Sequence, residues 1–122
     1  MMSTAQLPNE QTHDKALLAK ALLNAGKAFG FNQTELADIV GRNRTGLVRD
    51  GIDPASKSGE LALLFIRLYR SVFALTGGEP AAMKHWINTE NRYFDEVPRQ
   101  LIRSAEGLVR VNHYLDAMRG KV

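Results

Sequence analysis

The chain has 122 residues, of which 44% are hydrophobic and 24% are charged, and this composition supports one compact core rather than a disordered chain. It contains no cysteine, which excludes disulfides, thiolate zinc sites and cysteine nucleophiles. The formal net charge of +3 is spread over both halves of the sequence, so any nucleic-acid binding must depend on a local basic patch.

The N-terminal segment, residues 1–10, is predicted to be a flexible polar tail. It lacks the basic and apolar parts of a secretory signal. The longest apolar run in the chain, residues 61–66, is far shorter than the roughly 20 residues that a membrane span requires. The sequence therefore predicts a soluble protein of the cytoplasm.

Three helices are predicted in the first half of the chain. The first follows the tail, and its inward face carries apolar residues spaced three and four apart. These residues are Leu18, Leu22, Ala25 and Phe29. Two shorter helices, residues 33–40 and 43–49, are separated by Gly41. Leu47 and Val48 are expected to pack the second of these against the core.

A linker rich in turn-forming residues, 51–58, precedes the second half of the chain. The longest predicted helix then covers residues 60–75. Two short helices are expected at 79–88 and 98–104, and each has a proline, Pro80 or Pro98, in its first turn, where proline is well tolerated. The apolar face of the longest helix is formed by Leu61, Leu64, Phe65, Leu68, Val72 and Leu75. The final helix, 106–119, carries the stripe Leu108, Val111, Leu115 and Met118. Because no segment alternates with a period of two, the sequence predicts an all-α fold.

The two short helices on either side of Gly41 predict a helix-turn-helix. Glycine permits the positive φ that such a turn requires, and the small Ala37 is expected where the two helices approach. Several polar and basic side chains are then placed to reach phosphates and base edges. They are Gln33, Arg42, Asn43, Arg44, Thr45 and Arg49. Gly46, inside the second helix, and the acidic Asp50 and Asp53 oppose DNA binding, and a helical hairpin with a solvated charged face is the alternative.

The sequence shows no arrangement typical of an enzyme. His13, His85 and His113 are far apart and lack the spacing of metal ligands. Ser104 and Glu106 are explained as the N-terminal cap and the first turn of the final helix. We therefore predict that the chain is not an enzyme and requires neither a metal nor a cofactor.

The C-terminal third combines several short motifs. They are Trp86-Ile87-Asn88-Thr89-Glu90-Asn91, Phe94, Pro98, Leu101-Ile102, Ser104, Glu106-Gly107-Leu108, Val111 and Tyr114-Leu115-Asp116-Ala117-Met118-Arg119-Gly120. With these residues the chain resembles the toxin-binding domain of the MbcA/ParS/Xre antitoxin family. Its ending looks most like the Xre antitoxins that are paired with RES-domain toxins. Residues 33–49 resemble the helix-turn-helix of Xre/Cro repressors, and the whole resemblance covers residues 20–122.

This resemblance implies a two-part, all-α fold. After the tail, residues 11–58 form an Xre/Cro-like helix-turn-helix bundle, and residues 59–122 form a small helical toxin-binding and dimerisation domain. The implied function is that of an antitoxin, a stoichiometric inhibitor that places its C-terminal end in the active-site cleft of a NAD-degrading RES toxin. It also implies homodimers that assemble with the toxin into a larger complex, bind operator DNA and repress their own promoter.

The predicted toxin contacts lie off the apolar face of the final helix and in the tail that follows it. They are Arg110, His113, Asp116, Arg119, Gly120, Lys121 and Val122. Trp86, Phe94 and Tyr114 are expected in the core instead. Two other functions remain open: a stand-alone helix-turn-helix regulator whose C-terminal half only dimerises, and a structural adaptor with no role at DNA.

Overall fold

The computed structural model describes the backbone of residues 8–120 and the side chains of residues 10–120. Within this range the chain forms seven helices. They are α1 (Pro8–Phe29), α2 (Gln33–Ile39), α3 (Arg44–Asp50), α4 (Lys57–Thr76), α5 (Pro80–Asn88), α6 (Pro98–Leu101) and α7 (Ala105–Arg119). The described residues contain no strand, only an isolated antiparallel bridge between Asn91 and Glu96. The predicted all-α fold is confirmed.

Short polar residues fix where most of these helices begin. Asn32, Asn43, Ser56 and Ser104 are the N-caps of α2, α3, α4 and α7, and each side chain accepts a hydrogen bond from a backbone N–H of the first turn. At the other end of α4, Gly77 adopts the left-handed conformation with a φ of 68°. The helix boundaries are therefore set mainly by local sequence.

The core is one continuous cluster that runs through both halves of the chain. The predicted inward face of α1, Leu18 to Phe29, is buried against α4. The Phe29 ring meets the rings of Phe65 and Tyr69 edge-on, with centroids 6.0 and 5.9 Å apart. Leu108 and its neighbours on α7 complete the cluster on the opposite side of α4. The long helix α4 is thus the central element of the molecule.

The remaining helices cover the two sides of this core. α2 and α3 pack against α1 and each other, α5 packs against α1 and α4, and α6 connects α5 to α7. α4 and α7 run parallel: the Asn112 side chain donates to the carbonyl of Leu64 at 3.1 Å, and the Arg119 side chain donates to the Ser71 hydroxyl at 3.2 Å. The first half of the chain and the last helix therefore share α4 as their support.

Three residues predicted to lie in the core are exposed. Leu75 and Met118, in the last turns of α4 and α7, are 50% and 38% exposed. Val48 is 57% exposed. Its neighbour Leu47 is fully buried, since α3 packs with one side only against α1 and α2.

Some predicted boundaries were also wrong. α1 begins at Pro8, so residues 8–10 belong to a helix, whereas the rest of the predicted tail lies outside the described residues. α4 begins at Lys57, within the predicted linker, because Ser56 caps it. α6 ends at Leu101, earlier than the predicted residue 104, because Ser104 already serves as the N-cap of α7.

Candidate functional site

The α2–turn–α3 unit has the geometry that the sequence predicted. Gly41 has a φ of 73°, and the backbone N–H of Arg42 donates to the carbonyl of Ala37 at 2.8 Å, which closes the turn. Ala37 is buried at the approach of the helices, and Leu47 fixes α3 to the core. This turn holds α3 on the surface with one long side in solvent.

Five of the six predicted DNA contacts are exposed, among them Asn43 just before α3. Gln33 begins α2, and Arg44, Thr45 and Arg49 lie on α3. The Arg44 Nε donates to the Gln33 side-chain oxygen at 3.0 Å, which links the starts of the two helices. Because Gln33 is uncharged, Arg44 keeps its full positive charge for an anionic partner.

Two of the predicted DNA contacts, Arg42 and Asn43, form hydrogen bonds with the protein's own backbone. Arg42 was expected to point outward, but it is half-buried and its guanidinium donates to the carbonyl of Gly51 at 2.9 Å. The Asn43 side-chain oxygen accepts the backbone N–H of Gly46 at 2.6 Å and so caps α3. Gly46 itself lies in the first turn of α3, where a Cβ would come within 3.1 Å of that oxygen. The glycine therefore leaves space for the Asn43 side chain that caps α3, and no other residue of α3 is a glycine.

An acidic residue at the end of α3 reduces the charge of this surface. The Arg49 guanidinium donates two hydrogen bonds to Asp50, at 2.9 and 3.0 Å. The hydrogen bonds that Asp50 accepts from Arg49 keep the pKa of Asp50 below its ordinary value, so this carboxylate is ionised near neutral pH. Arg44 and Thr45, one turn earlier, lie away from this pair, and the positive charge is therefore concentrated at the start of α3.

The predicted toxin contacts on α7 fall into two groups. Arg110 and His113 are exposed on its outer side, where the Arg110 guanidinium lies 5.3 Å from the ring centroid of the buried Phe94. Asp116 and Arg119 instead face α4: Asp116 accepts a hydrogen bond from Arg67 at 2.6 Å, and Arg119 bonds Ser71. Arg110 and His113 are therefore available to a partner, whereas Asp116 and Arg119 fix the direction of α7 against α4.

The end of the chain is described only in part. Gly120 follows α7, and its backbone N–H donates to the carbonyl of Asp116 at 3.0 Å. Lys121 and Val122, also predicted toxin contacts, lie outside the described residues. Of the three aromatic residues expected in the core, Phe94 is buried, while Trp86 and Tyr114 are partly buried against it.

An ion pair that the sequence did not reveal connects α2 to the start of α6. The Arg99 guanidinium donates to the Glu35 carboxylate at 2.8 Å, to the Asn88 side chain at 2.9 Å and to the carbonyl of Gly30 at 3.3 Å. It also lies 4.2 Å from the ring centroid of Phe31. Glu35 and Arg99 are 64 residues apart, and no local pattern indicates that they meet.

The Glu35 carboxylate has a second role at the start of α2. It accepts the backbone N–H of Asn32 at 3.2 Å, and Asn32 in turn accepts the N–H of Glu35, which forms a reciprocal capping box. Partial burial opposes ionisation of Glu35, but Arg99 and the Asn32 N–H outweigh it and lower the pKa below 4.5. The start of the helix-turn-helix is thus fixed to the C-terminal half by a charged group.

No group of three or more histidine, aspartate or glutamate side chains in residues 8–120 is arranged to hold a metal ion. In the same range no single helix is long and apolar enough to cross a membrane, although α4 and α5 together would pass that test as a pair bent by 119°.

Comparison with protein families matches nearly all of the described chain. Residues 10–67 match the antitoxin Xre-like helix-turn-helix domain, and residues 71–121 match the antitoxin Xre/MbcA/ParS C-terminal toxin-binding domain. The chain belongs to the Xre/MbcA/ParS antitoxin family. No curated protein matches this antitoxin-family chain significantly. Family membership gives the chain a DNA-binding unit and a protein toxin as its partner.

The two family matches meet inside α4, between residues 67 and 71. The sequence instead suggested a division after residue 58, and that division stays a prediction. In the structure α4 supports α1 on one side and α7 on the other, so it contributes to the core of both matched domains.

Proposed function

We propose that this chain is the antitoxin of a type II toxin-antitoxin system. It acts in the cytoplasm without catalysis of its own, and it neutralises a RES-type, NAD-degrading toxin by occluding the toxin's active site with its C-terminal end. The observation that supports this most directly is the match of residues 71–121 to a toxin-binding domain. The choice of a RES toxin rests on the resemblance of residues 114–120 to Xre antitoxins of that type.

The geometry of α7 is suited to occlusion. The buried residues Leu108, Val111 and Leu115 fix the helix against the core, and Arg67 holds its last part through Asp116. The final described residues, Met118 to Gly120, are exposed. A rigid helix that ends in exposed residues can direct a short segment into a preformed cleft at a small cost in conformational entropy.

The same chain is proposed to repress its own promoter together with the toxin. The exposed Gln33 at the start of α2, together with Arg44, Thr45 and Arg49 on α3, forms the proposed DNA-facing surface. One such surface makes few phosphate contacts, and affinity rises steeply with the number of contacts. We therefore propose a homodimer within a larger complex with the toxin, so that two or more α3 helices bind the operator at once.

Removal of the chain end tests occlusion. We expect a variant that lacks residues 119–122 to fold but to lose neutralisation, because α7 keeps its buried anchors and loses only the segment that enters the cleft. The measurement is growth and cellular NAD content on co-expression with the toxin. A truncated, folded protein that restores growth and NAD fully would show that the chain end is not the inhibitory element.

A single substitution provides the matched control for this deletion. The deletion also removes the hydrogen bond between Arg119 and Ser71. Ser71→Ala removes that same bond but keeps the chain end, and alanine fits the buried position of Ser71. Ser71→Ala is expected to neutralise the toxin as well as the wild type does.

A further inference from the structure

A shallow depression lies between the segment 89–97 and the outer side of α7. It has a volume of about 580 Å³ and is lined by Tyr93, Glu106, Val109, Arg110, His113 and Tyr114. We propose that this aromatic depression is a docking site for the toxin, which fills it with an apolar side chain and places a carboxylate beside Arg110. The inference rests on the proposed function, since it assigns the place on this chain where the toxin is held outside its own active site.

The depression presents an aromatic ring that is both exposed and firmly supported. Tyr93 is 65% exposed, yet its ring lies 4.6 Å from the centroid of Tyr114 and 5.3 Å from that of Phe94. Phe94 is buried, and Tyr114 is half-buried on α7. A ring supported in this way offers a large contact area and loses little side-chain entropy when a partner covers it.

The backbone that carries Tyr93 is also fixed. The Asn91 N–H donates to the carbonyl of Glu96 at 3.0 Å, and the Asn91 side chain accepts the N–H of Tyr93 at 2.9 Å. Asp95 completes the turn with a φ of 58°, a conformation that aspartate tolerates better than most residues. The segment therefore holds Tyr93 in place before any partner binds.

The other wall of the depression is the outer side of α7. Glu106, Val109, Arg110 and His113 follow one another at helical spacing on the side that faces away from α4. Val109 is 39% exposed and provides an apolar floor. This side of α7 is not used in packing, whereas the opposite side is buried against α4.

The charge of the depression indicates the kind of partner. Arg110 has no carboxylate within ion-pair distance among residues 10–120, and its guanidinium rests over the Phe94 ring. An unpaired arginine beside exposed apolar surface is complementary to a carboxylate next to an apolar side chain. Tyrosine and arginine are also the residue types that most often dominate the energy of protein interfaces.

Two features favour the toxin over a second copy of this chain as the occupant. Every residue of the depression lies within 71–121, the part that matches a toxin-binding domain. The depression is also lined by residues of α7, the helix that leads to the chain end, so one partner surface can cover both. Arg110 and His113, predicted as toxin contacts, belong to it. The structure adds four lining residues, of which Tyr93 and Val109 are the exposed large hydrophobic ones.

Substitutions at the two added residues test the proposal. The probe is the cognate RES-type toxin, inactivated at its catalytic residue, and binding to the full-length chain is measured by calorimetry. Tyr93→Ala and Val109→Glu are each expected to raise Kd by about 10-fold or more. Tyr93→Phe keeps the ring and is expected to bind within about twofold of the wild type. Leu17→Glu, at an equally exposed position on α1 outside the toxin-binding match, is the control and should not change Kd.

The outcomes separate this inference from the proposed function. If the wild type does not bind the toxin, the proposed function fails and the docking site fails with it. If the wild type binds and the folded Tyr93→Ala and Val109→Glu variants bind equally well, only the docking site is overturned. If Val109→Glu instead changes the oligomeric state in light scattering and leaves toxin affinity intact, the depression is a contact between copies of this chain, which also overturns the proposal.

Discussion

At the scale of single residues, Gly107 shows how a missing side chain determines a contact between helices. The sequence suggests only that this glycine punctuates the start of the final helix. In the structure a Cβ at this position would overlap the carbonyl oxygen of Leu101, at the end of α6. Glycine therefore allows the backbone of α6 to lie directly on the first turn of α7.

Gly107→Ala is expected to destabilise the chain. The added methyl group has no space, and the neighbouring atoms are backbone, so α6 must move away from α7. We expect a loss of about 2–3 kcal/mol in the free energy of unfolding, measured by urea denaturation. An unchanged midpoint would mean that the α6–α7 junction can shift without cost.

Gly120→Ala is the matched control for this substitution. Gly120 follows the same helix with a φ of −72°, and a Cβ there would lie 3.5 Å from the carbonyl oxygen of Asp116, an ordinary van der Waals distance. The expected change in the free energy of unfolding is within about 0.5 kcal/mol.

Residues whose role depends on local sequence were predictable. The caps Asn32 and Ser104 could be recognised because a capping side chain bonds the backbone three residues later in the chain. Arg42 was expected to point outward, but it bonds the carbonyl of Gly51, beyond the end of α3, and no local pattern indicates this contact. Sequence patterns indicate which residues are polar, but not which of them the folded chain satisfies by itself.

At the scale of elements, the contact of α2 with the start of α6 makes stability depend on acid pH. The pKa of Glu35 is lower in the folded chain than its ordinary value of 4.5. Its contribution to stability is therefore fully present above about pH 4.5 and is lost as the pH falls through the folded pKa. We expect Glu35→Gln to lower the free energy of unfolding at neutral pH by about 0.5–1 kcal/mol, a value reduced for the partial solvent exposure of the pair.

The acid range distinguishes this pair from a general loss of charge. Because Glu35 is protonated in both states at low enough pH, the difference in the free energy of unfolding between the wild type and Glu35→Gln should shrink as the pH falls through the folded pKa, below 4.5. Glu60→Gln is the control. Glu60 is exposed on α4, and its carboxylate lies as far as 3.9 Å from the Lys57 ammonium, so this ion pair is weak. If Glu35→Gln lowered the free energy of unfolding by the same amount at neutral and at acid pH, the ionised carboxylate could not be the cause of the loss.

At the scale of the whole molecule, the helices were predictable and their arrangement was not. Each helix depends on a local apolar period and on caps, which a single sequence displays. Leu75 and Met118 continue their apolar stripes correctly, but both are exposed, because the apolar period does not show how far a neighbouring helix covers the last turn. The meeting of Glu35 with Arg99 depends in the same way on how α5 and α6 return the chain to α2.

The arrangement of the whole chain also ranks its basic residues for DNA binding. Arg44 faces solvent with only the neutral Gln33 as its partner, whereas Asp50 offsets the charge of Arg49. We expect Arg44→Ala to weaken promoter binding by the toxin-antitoxin complex by about 10-fold or more, and to reduce its salt dependence by about one phosphate contact for each bound α3. Arg49→Ala should have a smaller effect, and both variants should bind the toxin as the wild type does.

Arg70→Ala is the appropriate control, because Arg70 is an exposed arginine on α4, outside the helix-turn-helix. Arg42 is unsuitable for this test, since its loss would also remove the bond to Gly51. The measurement is a titration of operator DNA at several salt concentrations. The slope of the logarithm of the affinity against the logarithm of the salt concentration reports the number of phosphate contacts. Equal slopes for Arg44→Ala and Arg70→Ala would show that α3 does not contact the DNA backbone, and the helix-turn-helix would then have to serve another partner.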